Sequence, residues 1–386
     1  MALPSLQTSA RPPWDWRMRL WWLLWSRCPG VGPQRLASLL NGFGNLELAW
    51  KASSALLASR CHWPDPLLAS VSAYQQQWGP DPLPQVAHRW RWGRQVLMPG
   101  DHRWPPKMLQ AQPAPSALYW SGRGSLWRHL AERQAIAVVG TRRPSRHGLH
   151  VARQIGAVLA EGGWPVVSGL AEGIDGAVHG GCLESEGVPV GVLGTPLARV
   201  YPRHHASLQA AVELHGLLLT ELPPGASVSR GSFALRNRLQ VALASAVILV
   251  ECPHGSGALH SAELAWREGL PLWVVPADTG RPSAEGSNSL LARGATPLTR
   301  PDELLASLGR GPLLRPSSPR RQEPPARGQP KGSMADRLLV ALGAGATMEE
   351  LCTTLESSPQ ALLPHLLDLE VNGAVVMEPG LYWRPS

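Results

Sequence analysis

Short apolar runs alternate with amphipathic segments between residues 135 and 298, and this is the most regular pattern in the chain. The segments between the runs have helical spacing, as at Val151, Ile155, Val158 and Leu159. Continuous apolar strands that alternate with helices predict an α/β fold, an extended Rossmann-like parallel sheet covered on both faces. The runs typical of strands are Ala135–Val139, Pro165–Ser168, Val188–Leu193, Leu217–Thr220, Ala246–Val250, Leu272–Val275 and Thr296–Leu298, and Tyr119–Trp120 predicts an added edge strand.

A small helical domain is predicted over residues 14–75. Short helical patterns between Leu20 and Leu57 surround the turn Pro29-Gly30-Val31-Gly32-Pro33. This arrangement is similar to SAM-like or helix-hairpin-helix domains, in which a glycine turn presents backbone N–H groups to DNA phosphate. The same pattern also forms ordinary helical corners, so both interpretations stay open.

The predicted central domain spans residues 76–308, with its core at 135–298. From Trp78 to Pro115 prolines are frequent and the periodicity is poor, which indicates a connector that wraps over the domain outside its core. Inside this stretch, residues 89–94 (RWRWGR) interleave cations with aromatic rings. That composition suits nucleic-acid binding, and the alternative is core packing of the tryptophans beside solvated arginines.

Residues 334–386 predict a winged helix. They begin with a helix near Met334, continue through a capping box at Thr347–Glu350 and a helix start at Ser358–Pro359, and end in a hairpin about Pro379–Gly380. The predicted recognition helix, Pro359 to Glu370, contains His365, Asp368 and Glu370 but no Lys or Arg. Such a helix is poorly matched to DNA phosphate, so contact with a protein is favoured.

Positive charge is concentrated on arginine. The formal net charge is +8, and lysine occurs only at Lys51, Lys107 and Lys331. Guanidinium groups suit phosphate and favour a nucleic-acid partner, although a GC-rich genome would produce the same bias. Residues 309–333 are dense in Pro, Arg, Gly and Ser without hydrophobic periodicity, which predicts a disordered basic linker.

Cysteine usage and hydropathy narrow the class further. The five cysteines form no CxxC pair, which argues against a disulfide framework and against a zinc site. The apolar stretch Leu20–Trp25 is far shorter than the ~20 residues of a membrane helix, and no signal-peptidase site follows it. We therefore expect a soluble, cytoplasmic protein without a metal, a cofactor or a membrane contact.

The first predicted strand of the core leads into a small-residue loop directly before a helix. Ligands of open parallel sheets bind at the carboxyl ends of strands. Glycine lets the backbone approach a ligand, the helix start offers N–H groups, and guanidiniums pair with phosphate oxygens. The loop is neither GxGxxG nor a Walker A sequence, so NAD and ATP lose support. The candidate nucleic-acid-binding residues here are Gly140, Thr141, Arg142, Arg143 and Ser145.

Similar turns follow later strands and open later helices. Two arginines beside Phe233 suit phosphate pairing and base stacking. The alternative is that Arg236 or Arg238 pairs structurally with a carboxylate such as Glu251. The candidate binding residues in these turns are Ser168, Gly169, Gly173, Phe233, Arg236, Asn237, Arg238, Ser256, Gly257 and Asn288.

Ser168, Asp175 and His179 invite a hydrolase interpretation, which we reject. Asp175 and His179 lie four residues apart on one predicted helix face, a spacing that more often caps and braces a helix. No G-x-S-x-G elbow is present. We predict no catalytic residue.

The order of these segments resembles the family of DNA-processing protein A, DprA, also called Smf. The resemblance extends from about Pro99 to Ala295, and the flanking helical segment and predicted winged helix are similar to accessory domains that many members carry. The segments that carry it read VVGTRRPS, VVSGLAEGIDGAVH, VLGTPLARVYP, LLTELPPG, FALRNR, ILVE, SGALHSAELA and NSLLARGA.

The resemblance implies a non-enzymatic protein of natural transformation. Such a protein binds incoming single-stranded DNA, protects it and helps to load RecA recombinase onto it, usually as a homodimer. Glu172 and His205 depart from residues that are usual in the family, and Glu172 would repel a phosphate passing the second loop. The resemblance assigns phosphate binding to Arg142 and further DNA contacts to Phe233, Arg236, Asn237, Arg238, Ser168-Gly169 and Ser256-Gly257.

Two alternatives belong to other classes. A nucleotide-processing enzyme of the lysine-decarboxylase-like Rossmann group, similar to LOG phosphoribohydrolases, would use Glu251 or Glu263 near a bound nucleotide. Its usual PGGxGT loop is absent from the sequence. The second alternative is a RecA-interaction scaffold whose DNA affinity is incidental.

Overall fold

The computed structural model of the protein describes residues 15–89, 95–314, 333–343, 345–378 and 382–385. The RWRWGR run and the predicted basic linker fall mostly outside these described residues, and so does the tip of the predicted carboxyl-terminal hairpin. The predictions for those segments therefore stay predictions.

Within residues 15–89 the chain forms helices that pack around tryptophan. Trp25 is fully buried, its ring meets that of Trp50 edge-on at 5.2 Å, and its Nε1 donates to the Leu46 carbonyl at 3.0 Å. Gly30 has a φ of +81°, and the turn that contains it joins the first two helices, as the glycine-proline pattern predicts. The helices are α1 (Trp16–Ser26), α2 (Pro33–Phe43), α3 (Leu46–Lys51), α4 (Ser54–Cys61), α5 (Asp65–Trp78) and α6 (Leu83–Arg89).

A nine-stranded, mostly parallel sheet forms the centre of the described residues. Its strands are β1 (Val96–Leu97), β2 (Leu118–Gly122), β3 (Ile136–Val139), β4 (Val166–Ser168), β5 (Pro189–Val192), β6 (Leu217–Thr220), β7 (Ala246–Leu249), β8 (Leu272–Val274) and β9 (Thr296–Pro297). The strand order is β1-β2-β6-β5-β4-β3-β7-β8-β9, and all pairings from β6 to β9 are parallel. The seven predicted strands of the core are thus confirmed, within one residue at either end.

Helices cover both faces of the sheet, as the continuous apolar strands predict. They are α7 (Trp127–Ala131), α8 (Arg146–Glu161), α9 (Ile174–Glu184), α10 (Ala206–His215), α11 (Arg230–Leu243), α12 (Gly257–Arg267), α13 (Glu285–Ala292) and α14 (Glu303–Leu308). Ile136 and Val138 pack with α8 and α9, whereas Ala137 and Val139 pack with α11 and α12 on the other face. Alternate side chains along β3 therefore pack into two hydrophobic cores, one on each face of the sheet.

Two expectations about the segment before β3 are corrected. Tyr119 and Trp120 do form a strand, but β2 lies between β1 and β6 and is not the edge of the sheet. The stretch from Trp78 to Pro115 is not confined to the outside, because Trp104 and Met108 are buried in the sheet core. A segment without regular secondary structure can bury large side chains that do not recur at a regular spacing. Periodicity alone therefore does not predict the burial of Trp104 and Met108.

The carboxyl-terminal part contains three helices and a small antiparallel sheet. Its elements are α15 (Met334–Leu342), β10 (Ala346–Thr347), α16 (Met348–Leu355), α17 (Pro359–Val371), β11 (Val375–Glu378) and β12 (Tyr382–Pro385), with strand order β10-β12-β11. The predicted capping box is confirmed, since Thr347 and Glu350 bond each other's backbone N–H groups. The Ser358 cap of α17 is confirmed as well.

One carboxylate joins this carboxyl-terminal part to the central sheet. While Oε2 of Glu350 closes the capping box, its Oε1 accepts from the Arg123 Nε at 3.3 Å and from the Ser125 hydroxyl. Gly122 at the end of β2 pairs with Leu217 at the beginning of β6. The contact therefore lies at the amino edge of the parallel strands. Among the described residues, no helix combines the length and the apolar character needed to span a membrane.

Helices α8 and α9 approach closely through glycine. A Cβ on Gly181 would overlap the carbonyl of Arg153, whereas a Cβ on the neighbouring Gly180 would come no closer than 3.5 Å to the Arg153 guanidinium. We expect Gly181→Ala to lower the free energy of unfolding by about 1–3 kcal/mol through overpacking. Gly180→Ala, the matched control, should be neutral or stabilising by up to ~1 kcal/mol through helix propensity. Urea denaturation measures both, and equal stability of the two variants would contradict the close approach.

A second prediction concerns His179, which is fully buried in α9. Burial lowers the pKa of this imidazole to about 4, well below the usual value for histidine. Between pH 6.5 and 4 the unfolded chain takes up a proton that the folded protein does not bind, so stability falls across this window by up to about 3 kcal/mol. In His179→Gln the free energy of unfolding should fall less steeply over the same window. Parallel curves for variant and wild type, measured by urea denaturation at several pH values, would rule this out.

Candidate nucleic-acid interface

The candidate residues collect at the carboxyl edge of the parallel strands. From β3 the chain builds outward through β4, β5 and β6 on one side, then crosses back to place β7 on the other side of β3. The crevice between β3 and β7 is the topological switch point, where ligands of open α/β sheets bind. Loops after β3, β4, β5 and β7 surround it, together with the amino-terminal half of α11.

The loop after β3 divides into an outer and an inner part. Arg142 and Arg143 are exposed, whereas Thr141 is buried and its Oγ1 accepts from the Arg143 backbone N–H at 3.2 Å. Ser145 caps α8 by accepting from the Gly148 N–H at 3.0 Å. Its own N–H and hydroxyl both donate to Oε2 of the buried Glu251, at 3.1 and 2.8 Å. A carboxylate of the protein thus occupies the donors with which Ser145 would hold a phosphate, and phosphate binding by Ser145 stays a prediction.

Two glycines allow the loop after β4 to pack on the loop after β3. Gly173 has a φ of +84°, and a Cβ there would lie 2.5 Å from the Thr141 carbonyl oxygen. A Cβ on Gly140 would overlap Ile174 at the start of α9. Gly140 and Gly173 therefore allow the two loops to pack together, and this close packing accounts for a glycine at each position.

An aromatic and cationic cluster lies on the outer surface of this edge. Phe233, in the first turn of α11, rests on Gly194 after β5, where a Cβ would be 2.6 Å from its ring. The Arg142 guanidinium lies over the Phe233 ring, 5.3 Å from its centroid. The Tyr201 ring lies 4.8 Å from the same ring at an interplanar angle of 47°, and Tyr201 is 46% exposed. The structure thus joins Arg142 and Phe233, as expected, and adds Tyr201.

Arg236 lies beneath this cluster and is only 4% exposed. Its guanidinium donates to the Val192 carbonyl at 2.5 Å and to the Asp175 carboxylate at 3.2 Å. Burial raises the pKa of Asp175, and the neighbouring Arg236 charge opposes that shift. A Cβ on Gly169 would occupy the position of the guanidinium, so Gly169 provides the space for Arg236. Arg236 and Gly169 therefore hold the loops in place in this structure, and their contact with phosphate stays a prediction.

Asn237 and Arg238, which follow Arg236 on α11, also bond to other parts of the protein. The Asn237 side chain accepts from Arg236 Nε at 3.0 Å and donates to the Gly257 carbonyl at 3.2 Å, which connects α11 to the start of α12. Arg238 is 4% exposed and forms a bidentate pair with Glu221, at 2.9 and 2.6 Å. Both arginines of this motif therefore pair with carboxylates, as the structural alternative proposed, but neither partner is Glu251.

The remaining candidates have local roles. Ser168 is fully buried and donates to the Val138 carbonyl at 2.8 Å. Ser256 caps α12, and Gly257 beside it is exposed. Asn288 accepts from the Ala277 N–H at 3.2 Å and donates to the Ala277 carbonyl at 3.1 Å, so it braces the loop after β8. Of these residues, Gly257 is exposed at the edge.

Sequence reasoning missed the loop after β5. Around Tyr201, the side chains of Arg199, Arg203 and His204 are exposed, and His205 bonds the Leu170 carbonyl at 3.0 Å, which ties this loop to the loop after β4. The signal was available, because an aromatic residue flanked by arginines followed a predicted strand. The loop after β3 shares the arginines but has no aromatic residue.

The two carboxylates that a nucleotide-processing enzyme would use both have partners within the protein. Glu251 is bound to Ser145, and Glu263 pairs with Arg293 on the surface at 2.5 Å. His179 and Asp175 are both buried within the fold. In the part of the chain that the structure describes, no cluster of three or more His, Cys, Asp or Glu side chains could hold a metal ion.

Comparison with known proteins places this geometry in a family. Residues 95–309 match the family model described as DNA recombination-mediator protein A. Protein Smf of Synechocystis sp. is 30% identical over 94% of this chain and 98% of its own length. Protein Smf of Escherichia coli is 32% identical over 75% of this chain and 77% of its own length.

Solved structures agree with the sequence matches. The structure of DNA processing protein A (DprA) from Streptococcus pneumoniae superposes with a TM-score of 0.62 and 26% identity, over 74% of this chain and 97% of that one. The family match spans the whole central sheet, with both the edge that carries Arg142 and Phe233 and the helices that cover it. The chain belongs to the family of DNA recombination-mediator protein A, whose members include DprA and Smf.

Proposed function

We propose that this protein binds single-stranded DNA along the carboxyl edge of its parallel sheet and acts in DNA recombination during natural transformation. The cluster of Arg142, Phe233 and Tyr201 is the observation that carries this proposal. It presents guanidinium and aromatic faces side by side at the ligand-binding edge of the fold. Single strands offer unpaired bases to such rings, and a duplex does not.

Some residues at this edge would contact DNA directly, and others would hold those residues in position. Phosphates would meet the exposed guanidiniums of Arg142, Arg143, Arg199 and Arg203. Bases would stack on Tyr201, the more exposed ring, and on Phe233 once Arg142 turns from the ring to a phosphate. Binding of this kind tolerates any sequence, because every base has an aromatic face. Arg236, Asn237 and Arg238 would act as positioning residues beneath the surface.

The carboxyl-terminal part supports a protein contact. We interpret it as a winged helix, and residues 333–386 carry seven acidic residues and two arginines, a formal charge of −5 against +8 for the whole chain. On α17, Leu363, Leu367 and Val371 are exposed at a spacing of four residues. An apolar stripe on an acidic unit would repel DNA and suit a protein. RecA loading and a homodimer remain part of the proposal, and their surfaces are not assigned.

The phosphate role of Arg142 is tested with a charge-matched control. Arg142→Ala should weaken binding to a fluorescent oligo-dT by about 5- to 30-fold at low salt and reduce the slope of log affinity against log salt by ~0.7. Arg267→Ala removes the same charge from the exposed end of α12, at the opposite edge of the sheet. It should change affinity by less than about twofold. Equal losses in both variants would show that only net charge matters.

The stacking role is tested at Tyr201. Tyr201→Ala should weaken oligo-dT binding by about 5- to 100-fold, the range for one stacked base, with little change in the salt slope. Leu235→Ala is the control, since Leu235 is 44% exposed and follows Phe233 by two residues on α11. It should bind as the wild type does. If Tyr201→Ala kept full affinity in fluorescence anisotropy, bases would not stack on this ring.

A further inference from the structure

The amino terminus of α8 holds an anion that belongs to the protein itself. Oε2 of Glu251 accepts from both the N–H and the hydroxyl of Ser145, the capping residue of this 16-residue helix. In Rossmann-like folds the corresponding helix start, after the first core strand, is where the phosphate of a bound nucleotide lies. Glu251 reaches it from the end of β7, across the switch point.

The surroundings are built around this carboxylate. Glu251 is only 4% exposed, and its backbone carbonyl also accepts from the Thr141 N–H at 2.7 Å. A Cβ on Gly148 would overlap Oε2, so a glycine in the first turn of α8 leaves room for it. The second oxygen, Oε1, is buried and has no hydrogen-bond partner within the described chain. Capping Ser145 therefore uses only one of the two oxygens.

The charge balance shows what this carboxylate does. Arg142, Arg143 and Arg146 are exposed within the loop and first turn around the same helix start. Together with the positive end of the helix dipole they would attract a small phosphate into the crevice. A fixed negative charge there cancels part of this attraction and fills the space. Phosphates are then held only on the outer side of the loop, by arginine side chains.

We infer that Glu251 is an internal substitute for phosphate that closes the mononucleotide position of the fold and reserves this edge for a polynucleotide strand. Free nucleotides, which depend on that inner position, are excluded. A strand bound at many outer contacts does not need it. The inference rests on the DNA-binding edge proposed above, but it adds a specificity-determining residue that contacts no DNA.

Gain of anion binding is the decisive test, because loss of a merely structural residue would not create a site. Glu251→Ala and Glu251→Gln are titrated with inorganic phosphate and with AMP by isothermal calorimetry, after thermal melting has shown that they fold. We expect both variants to bind phosphate at least about tenfold more tightly than the wild type, as expected for a charge at a helix start. Glu251→Ala should also gain AMP binding, because it opens the space.

Glu172→Gln is the matched control. Glu172 is an exposed acid in the adjacent loop after β4, so its replacement removes the same charge without opening the inner position. It should gain much less phosphate affinity than the Glu251 variants, because solvent screens an exposed charge. The inference is wrong if no folded Glu251 variant gains phosphate affinity, or if Glu172→Gln gains as much; should Glu251→Ala fail to fold, Glu251→Gln alone decides.

Oligo-dT binding by the wild type is measured separately. Its absence would overturn the proposed DNA-binding edge, whatever the phosphate titrations show. Salt-dependent oligo-dT binding by the wild type, combined with phosphate binding confined to the Glu251 variants, would support both.

Discussion

The buried ion pair between Arg236 and Asp175 holds the candidate site together. It connects the first turn of α9 to the middle of α11, and through the Val192 carbonyl it reaches the end of β5. Breaking a buried pair of this kind leaves an uncompensated charge and typically costs about 3–5 kcal/mol. Because Phe233 lies one turn before Arg236 on α11, the pair also fixes where the half-buried Phe233 ring lies over Gly194. The surface that would meet DNA therefore depends on a contact buried beneath it.

Exposed and buried polar side chains lie next to each other along the whole carboxyl edge. Two arginines follow β3 and two lie in α11, and these pairs look equivalent in sequence but differ in solvent exposure. Arg142 and Arg143 emerge from a loop and are exposed, while Arg236 and Arg238 lie on the inner faces of a helix and find carboxylates. Glu172, in the loop after β4, is the exposed acid at this edge that fits least well with a phosphate path.

The two ends of the parallel strands carry different chemistry. The carboxyl edge presents arginines and aromatic rings, and the amino edge receives the acidic carboxyl-terminal part through Glu350. Opposite charge at opposite edges would let a DNA strand and a protein partner bind without competing. The tryptophan-rich helices before β1 bury their rings among themselves, so much of the aromatic content of the chain serves packing.

The sequence by itself determined the sheet and the helices of the central region. Apolar runs of three to six residues and helical repeats predict β3 to β9 and their covering helices, since local periodicity reports which faces are buried. It also located the caps at Thr347 and Ser358, which depend on neighbours within one turn. Irregular burial, as at Trp104 and Met108, left no such periodic signal.

Only the tertiary structure decided which polar residues are available to a ligand. Arg236 and Asp175 are 61 residues apart, and Ser145 and Glu251 are 106 apart, so no local pattern reveals either contact. These distant pairings give Arg236 and Ser145, two of the predicted phosphate ligands, partners within the protein. They also bring Tyr201 to Phe233. Residue type and spacing identify groups that could bind phosphate, but the partners that occupy them come from strands and loops brought together by the fold.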